Sequence, residues 1–350
     1  MKTFVSLLFL VFTSLLHAQY PEVTISGSQV RTLTSNIVSG QEYKLDVLLP
    51  DGYESSTKKY PVIYIMDSQW DFPLVSSIYG QQYYDGFIPE AILIGVTWGG
   101  ENPNPNMLRA RDYVPTNANS GADLFLDFMK TELFPFVETN YRADNHRTLM
   151  GCSLGGLFTL YTLFTHTDMF TGYIAASPAL NGNILSTHEK AFSEKQLDNL
   201  KRVYMTVGDV ESSKSDFEGF ATLMKSRSYN NVTLHSKVLE NTGHSGTKSE
   251  TYSRGLQYVF ERNQLNLSDD ILNKYVGTYQ FGEGTAEIKN ENNALKVYAN
   301  GFPIPLLAHS ETHFYATFQF LNIYFNESNN KVDSLDLVTY GGTQTLKKIK

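Results

Sequence analysis

Cysteine is nearly absent from this sequence, since Cys152 is the single cysteine among 350 residues. One cysteine excludes a disulfide framework within the chain and any metal site built from several cysteines. It also leaves no cysteine near the N-terminus for attachment of a lipid. The fold must therefore be stabilised by packing, and a hydrophobic content of 41% over this length is enough to bury a large core.

Apolar runs long enough to cross a membrane are also missing. At the N-terminus, Lys2 precedes an apolar segment from Phe4 to Leu16, and the small residue Ala18 follows. This pattern over Met1 to Ala18 is typical of a cleavable signal peptide, and the apolar segment is too short to span a bilayer. We expect an exported protein without a membrane span, most simply a periplasmic one.

Positive charge is scarce as well. The chain has 28 Lys and Arg against 36 Asp and Glu, and its formal net charge is −8. An acidic chain is a poor partner for nucleic acid, so we exclude that class of function. The 22 Tyr and 22 Phe would suit an aromatic-lined pocket or a β-rich domain equally well.

The most informative segment contains Gly151-Cys152-Ser153-Leu154-Gly155, between an apolar strand pattern and an apolar helix pattern. In a sharp strand-to-helix turn, glycines two residues before and after a serine supply room that a Cβ would fill. The turn would place the Ser153 hydroxyl at the N-terminus of a helix from Leu154 to Phe164, where free N–H groups favour negative charge. We interpret Ser153 as a nucleophile and the Leu154 N–H as one oxyanion donor.

Around this segment, short apolar runs alternate with helical patterns. Such runs are typical of parallel strands that are buried on both faces. The chain therefore predicts an α/β fold with a doubly wound, mostly parallel sheet, and the site should lie at the carboxyl ends of its strands. The predicted strands are residues 60–67, 91–96, 149–153, 173–176, 203–207 and 232–239, after an antiparallel hairpin of residues 23–35 and 41–50.

The helical predictions include a long helix from Ala122 to Tyr141, which Pro135 should bend or end, and a helix from Thr247 to Arg262. From Tyr275 onward the pattern changes to short alternating strands separated by turn residues. We therefore predict a signal peptide over 1–18, an α/β domain over 19–264 and a small all-β domain over 268–350.

A serine nucleophile needs a base, and the base needs an acid that orients it. His244 lies in the loop 241–246 between a predicted strand and a predicted helix, and it is our candidate base. The acid should follow the strand 203–207, where Asp209 and Glu211 are both candidates. We interpret five other histidines as structural or exposed, namely His166, His188, His235, His309 and His313.

A second oxyanion donor is expected where the chain leaves the strand 60–67, and we choose the Gln69 N–H. Trp70 and Phe72 follow closely and could wall an acyl pocket or belong to the core. Nothing in this chemistry requires a metal or an organic cofactor.

At these residues the sequence resembles the family of α/β-hydrolases named "putative esterase", which includes siderophore esterases of the enterobactin type, feruloyl esterases and formylglutathione hydrolase. The resemblance runs from about Gln41 to Arg262. It rests on several segments besides the serine motif, namely residues 61–67, 109–116, 146–156, 177–178, 208–211 and 243–244.

The resemblance implies Ser153 and His244 as catalytic residues and the Gln69 and Leu154 amides as the oxyanion hole. In this family the acid commonly lies three residues after the glycine that ends the strand, which favours Glu211 over Asp209. The chain departs from the family in two places, because Cys152 stands where a histidine is usual and Asp67-Ser68 stands where Asp-Gly is frequent.

The resemblance also implies basic residues that receive an anionic ferric siderophore, and Arg109 and Arg111 are the candidates. The alternative for both is an ion pair with Asp112 that holds their loop. The expected function is a serine carboxylic-ester hydrolase that works through an acyl-enzyme, with siderophore trilactones as one substrate class. Alternatives are feruloyl or acetyl ester hydrolysis on glycans, acyl transfer, or a non-catalytic binding protein, and the β-rich tail could contact a protein or a glycan.

Overall fold

The structure is a computed structural model that describes residues 24–115, 121–181, 184–299, 301–329 and 331–350. The predicted signal peptide, Met1 to Ala18, lies outside the described residues. Among the helices that are described, none is long and apolar enough to cross a membrane.

An eight-stranded sheet forms the centre of the molecule, with strand order β1-β2-β4-β3-β5-β6-β7-β8. Strands β3 to β8 run parallel, whereas β1 and β2 form an antiparallel hairpin that pairs with β4. The strands are β1 (Ser28–Thr34), β2 (Glu42–Leu48), β3 (Tyr60–Ile65), β4 (Ile92–Trp98), β5 (Ala143–Cys152), β6 (Gly172–Ala176), β7 (Lys201–Gly208) and β8 (Val232–Leu239).

Helices cover both faces of this sheet, so β4 and β6 are buried along their whole length. This explains why their sequences are continuous apolar runs. The helices of this part are α1 (Ser68–Tyr84), α2 (Pro105–Tyr113), α3 (Gly121–Phe128), α4 (Phe134–Asn140), α5 (Leu154–Thr165), α6 (Ser186–Ser193), α7 (Lys214–Ser226) and α8 (Thr247–Val259). A ninth helix among the described residues, α9 (Asp269–Leu272), packs in the core of the C-terminal part.

The single helix predicted from Ala122 to Tyr141 is interrupted. A π-helical turn, Met129–Leu133, separates α3 from α4, so the irregularity lies before Pro135 rather than at it. Proline has no N–H to give to the carbonyl four residues earlier, and its ring crowds that carbonyl. The wider π-helical turn accommodates the missing hydrogen bond and the crowded carbonyl.

The C-terminal part consists of two antiparallel sheets with their own apolar core. One has the order β12-β11-β10-β9 and the other the order β13-β14-β15-β16-β17. Their strands are β9 (Gly277–Phe281), β10 (Gly284–Asn290), β11 (Leu295–Ala299), β12 (Phe302–Pro305), β13 (Leu307–Ala308), β14 (His313–Tyr315), β15 (Leu321–Ser328), β16 (Lys331–Thr339) and β17 (Gly342–Lys347).

The β-rich part packs directly on the α/β part. The Phe320 N–H donates to the Tyr84 carbonyl at 2.9 Å, and the Phe320 ring joins the core cluster of α1 and β3. Gly86 lies so close to Gln319 that a Cβ there would be 2.6 Å from the Gln319 carbonyl oxygen. The predicted fold class, a mostly parallel α/β sheet followed by a small all-β domain, is confirmed. The domain boundaries at 264 and 268 stay a prediction.

Candidate active site

Ser153 lies on the turn between β5 and α5 with φ of 60° and ψ of −117°, a conformation that is rare for a residue with a side chain. The flanking glycines make this turn possible. A Cβ on Gly151 would be 2.7 Å from the Gly155 backbone, and a Cβ on Gly155 would be 3.2 Å from the Asp67 carboxylate. The turn therefore has the geometry that the motif predicts for a nucleophilic serine.

Two helices begin beside this turn. Leu154 is the first residue of α5, and Gln69 is the second residue of α1. The first N–H groups of a helix have no acceptor within that helix, and the helix dipole favours negative charge near them. The Gln69 side chain is fixed by Thr97, whose hydroxyl donates to Gln69 Oε1 at 2.6 Å. Both backbone amides are therefore suited to receive an oxyanion.

His244 and Glu211 are brought together from two loops. His244 Nδ1 lies 2.6 Å from Glu211 Oε2, and the carboxylate is 6% exposed while the imidazole is 50% exposed. An ionised carboxylate can only accept, so Nδ1 carries the proton in this arrangement and Nε2 is left to accept one. No hydrogen bond joins the Ser153 hydroxyl to His244 among the described residues. Such bonds are often long in enzymes without substrate.

Besides the Ser213 hydroxyl at 3.5 Å, three close donors hold the Glu211 carboxylate in place. Its Oε1 accepts hydrogen bonds from the Ser177 hydroxyl at 2.6 Å and from the Gly208 N–H at 2.7 Å, while His244 contacts Oε2. Burial acts to raise the pKa of the Glu211 carboxyl, but these hydrogen bonds outweigh it and lower the pKa. The carboxylate is therefore ionised and fixed in orientation.

Asp209, the alternative acid, points elsewhere. Its Oδ1 accepts from the Thr242 N–H at 3.1 Å, and hydrogen bonds from the backbone of Asn241 and Thr242 lower its pKa. It ties the loop after β7 to the loop that carries His244. The structure brings Glu211, and not Asp209, to the imidazole.

Arg109 and Arg111 both make ion pairs inside the protein. Arg109 donates to both Asp67 oxygens, at 3.0 and 2.7 Å, and to the Cys152 carbonyl at 3.3 Å. Arg111 pairs with the buried Asp112 at 2.6 Å, as the alternative interpretation predicted. For Arg109 that interpretation is wrong, because its ion-pair partner is Asp67 and not Asp112. Neither guanidinium is free, so their role toward a substrate stays a prediction.

The two aromatic candidates differ in their surroundings. Trp70 is 48% exposed and lies 5.6 Å from the Arg109 guanidinium, whereas Phe72 is buried in the core under α1. Trp70 is available as part of a pocket wall, and Phe72 belongs to the core.

Ser177 and Thr247 are two site residues for which the sequence predicts no role. Ser177 is buried with φ of 40°, and its hydroxyl lies 2.9 Å from the Thr247 hydroxyl, which in turn donates to the His244 carbonyl at 2.8 Å. The pair links the loops of the acid and the base. The Ser177-Pro178 dipeptide was a signal in the sequence, but only the fold shows what it contacts.

Comparison with known proteins identifies the family of this chain. The family described as "Putative esterase" matches residues 35–237, more than half of the chain. The chain belongs to this family.

Among curated relatives, the chain is 31% identical over 180 residues to the ferri-bacillibactin esterase BesA of Bacillus subtilis, covering 46% of this chain and 61% of that protein. It is 30% identical over 173 residues to the siderophore triacetylfusarinine C esterase of Aspergillus fumigatus, covering 44% of this chain and 58% of that protein. The matches thus span about six tenths of these relatives.

Solved structures show the same fold. The BES protein from Bacillus cereus superposes with a TM-score of 0.61 at 24% identity, covering 69% of this chain and 97% of that one. The siderophore hydrolase EstB from Aspergillus nidulans gives a TM-score of 0.59 at 22% identity, covering 69% of this chain and 98% of that one. The resemblance seen in the sequence is confirmed.

Proposed function

We propose that this protein hydrolyses carboxylic esters, with Ser153 as nucleophile, His244 as base and Glu211 as the acid that orients it. The observation that carries the proposal is the 2.6 Å contact between His244 Nδ1 and a buried, ionised Glu211, on the same edge of the sheet as Ser153. A histidine fixed through Nδ1 by a carboxylate is the arrangement that activates a serine hydroxyl.

In the proposed reaction, each of these groups has one role. Ser153 Oγ attacks the ester carbonyl carbon and gives its proton to His244 Nε2, while the Gln69 and Leu154 N–H groups receive the developing oxyanion. The bond between the carbonyl carbon and the alcohol oxygen then breaks, and His244 returns the proton to that oxygen. Water, deprotonated by His244, attacks the carbonyl carbon of the acyl-enzyme. The bond between that carbon and Ser153 Oγ breaks, His244 gives the proton to Oγ, and the acid is released.

For the substrate we propose a siderophore ester. The support is the set of curated relatives, two of which are named as siderophore esterases and a third as a ferri-bacillibactin esterase. An acyl transferase would use the same residues and differ only in the second nucleophile, so product analysis must separate the two.

We also propose that the protein is exported, most simply to the periplasm. The support is the order of the basic Lys2, the apolar segment from Phe4 to Leu16 and the small residue Ala18. N-terminal sequencing of the protein from a periplasmic fraction tests this, and a mature chain that retains Met1 would contradict it.

The activity is tested with a substrate panel. Initial rates are measured on short p-nitrophenyl esters, ferric and iron-free trilactone siderophores, and feruloylated and acetylated glycans. We expect ester cleavage by the wild type with the highest kcat/KM on a siderophore, and loss of at least 10⁴-fold in Ser153→Ala. Ser226→Ala, an exposed serine at the end of α7, is the matched control and should act as the wild type. Cleavage of no ester, or equal rates in Ser153→Ala, would refute the proposal.

A further inference from the structure

A large crevice lies between the α/β part and the β-rich part, with a volume of about 720 Å³. Tyr60 and Arg202 from the amino ends of β3 and β7 line one side, and His313 and Tyr324 from β14 and β15 line the other. Ser153, Glu211 and His244 follow the carboxyl ends of the sheet strands. The crevice is therefore at the opposite edge of the sheet, away from the proposed catalytic residues.

The guanidinium of Arg262 is one of the positive charges that line this crevice. It donates to Asn322 Oδ1 at 2.9 Å and lies 4.4 Å from the centre of the Tyr315 ring, and it is partly buried. No carboxylate among the described residues forms an ion pair with it. Asn322 Oδ1 and the Gly86 carbonyl, which accepts from Arg262 at 3.5 Å, are both neutral acceptors. Among the described residues, the positive charge of Arg262 is therefore partly buried without a carboxylate partner.

Other charges in the crevice leave an excess of cations. Its lining has four Lys and Arg side chains, namely Lys58, Lys59, Arg202 and Arg262, against the two carboxylates of Glu90 and Glu261. Those carboxylates pair with Lys58 at 3.3 Å and with Arg202 at 3.1 Å. Within the described part of the chain, no carboxylate pairs with Arg262 or with the exposed Lys59, although the formal net charge of the protein is −8. The local field therefore attracts anions.

A flat aromatic surface lies close to Arg262. Asn322 Oδ1 accepts from Arg262 and also contacts His313 Nε2 at 3.0 Å, so His313 donates there through a protonated Nε2. The His313 ring stacks on Tyr324 with 4.1 Å between centroids and 16° between planes. Tyr324 is 41% exposed, which leaves ring surface open for stacking.

We propose that this crevice is a second binding site, for a small organic anion that carries a carboxylate and a planar ring. The carboxylate pairs with the Arg262 guanidinium, which is suited to two parallel hydrogen bonds. The ring lies on Tyr324. The volume is in the range of about 300 to 1,000 Å³ that is usual for small-molecule sites.

The proposal is tested by isothermal titration of the full mature chain with Ser153 blocked beforehand by a phosphonate, so that the catalytic edge cannot contribute. The probes are benzoate, benzamide, acetate and inorganic phosphate. We expect saturable binding of one benzoate per chain. Benzamide lacks the charge and acetate lacks the ring, so each should bind at least tenfold more weakly, as should phosphate.

Variants locate the site. Arg262→Gln should weaken benzoate binding tenfold or more, and Tyr324→Leu should weaken benzoate but leave acetate unchanged. Lys59→Gln, at an exposed position, should weaken benzoate a few-fold and serves if Arg262→Gln does not fold. Arg254→Gln, exposed on α8, is the matched control and should bind as the wild type. Absence of saturable binding, equal binding of benzamide, or binding insensitive to all three crevice variants would overturn the proposal.

Discussion

The Ser177 hydroxyl donates a 2.6 Å hydrogen bond to Glu211 Oε1, on the carboxylate oxygen opposite to the one that His244 contacts. Ser177 follows β6 directly and has a positive φ of 40°, which is uncommon for serine. The backbone is thus held in a costly conformation at the point where a hydroxyl supports the proposed acid.

Ser177→Ala is expected to lower kcat by about 10- to 100-fold with little change in KM. The lost bond goes to a charged group and is worth roughly 1.5–3 kcal/mol, and about 1.4 kcal/mol corresponds to tenfold in rate. Ser213→Ala is the matched control, because its hydroxyl is 3.5 Å from Glu211 Oε2 and contributes little. Steady-state kinetics that show equal losses in both variants would contradict a positioning role for Ser177.

Substitution of each candidate acid by its amide compares their contributions to catalysis directly. Glu211→Gln should lower kcat by on the order of 10³ to 10⁴, because an amide no longer holds the imidazole in the required tautomer. Asp209→Asn should affect mainly stability, since Asp209 bonds only loop backbone. If instead Asp209→Asn loses the rate and Glu211→Gln retains it, the roles of the two residues must be exchanged.

The pH dependence of stability follows from the lowered pKa of Glu211. As the pH falls, the unfolded chain takes up the proton first. The stabilisation is therefore present above roughly pH 4.3 and is lost as the pH falls through the folded pKa. The difference in unfolding free energy between the wild type and Glu211→Gln should shrink toward pH 3. Urea titrations from pH 7 to pH 3 measure it, with the exposed Glu218→Gln as control. A difference in unfolding free energy that grows toward acidic pH would contradict the predicted direction.

The Arg109–Asp67 pair connects two functional segments. Asp67 precedes Gln69, and Arg109 also donates to the carbonyl of Cys152 next to Ser153. Arg109→Gln leaves a buried carboxylate unpaired, so we expect a loss of about 3–5 kcal/mol in unfolding free energy. Lys130→Gln breaks an exposed pair with Asp168 and should cost at most about 1 kcal/mol. Comparable urea midpoints for the two variants would show that the Arg109 pair is not structural.

Much of the fold could be predicted from the sequence because β4, β6 and β7 are buried and their apolar runs leave few alternatives. Ser153 and His244 stood out because a motif and a loop position are local signals. The Arg109–Asp67 pair could not be predicted, because its partners are 42 residues apart and the sequence offers several carboxylates as partners for Arg109.

The choice between Glu211 and Asp209 shows the same limit. Both follow β7 within three residues, and local chemistry suits either. Their different directions come from tertiary contacts, since Ser177 and the Gly208 N–H hold Glu211 while Asn241 and Thr242 hold Asp209. The crevice beside Arg262 could not be predicted, because it exists only where two separately patterned parts of the chain meet.

The central claim, that Ser153 is the nucleophile, is tested most directly by covalent labelling. The mature protein is incubated with a fluorophosphonate, and intact mass spectrometry with peptide mapping identifies the modified residue. We predict one adduct per chain, on Ser153, with loss of esterase activity in proportion to labelling and much slower labelling in His244→Ala. An adduct on another residue that abolishes activity, or full activity after complete labelling of Ser153, would contradict the account.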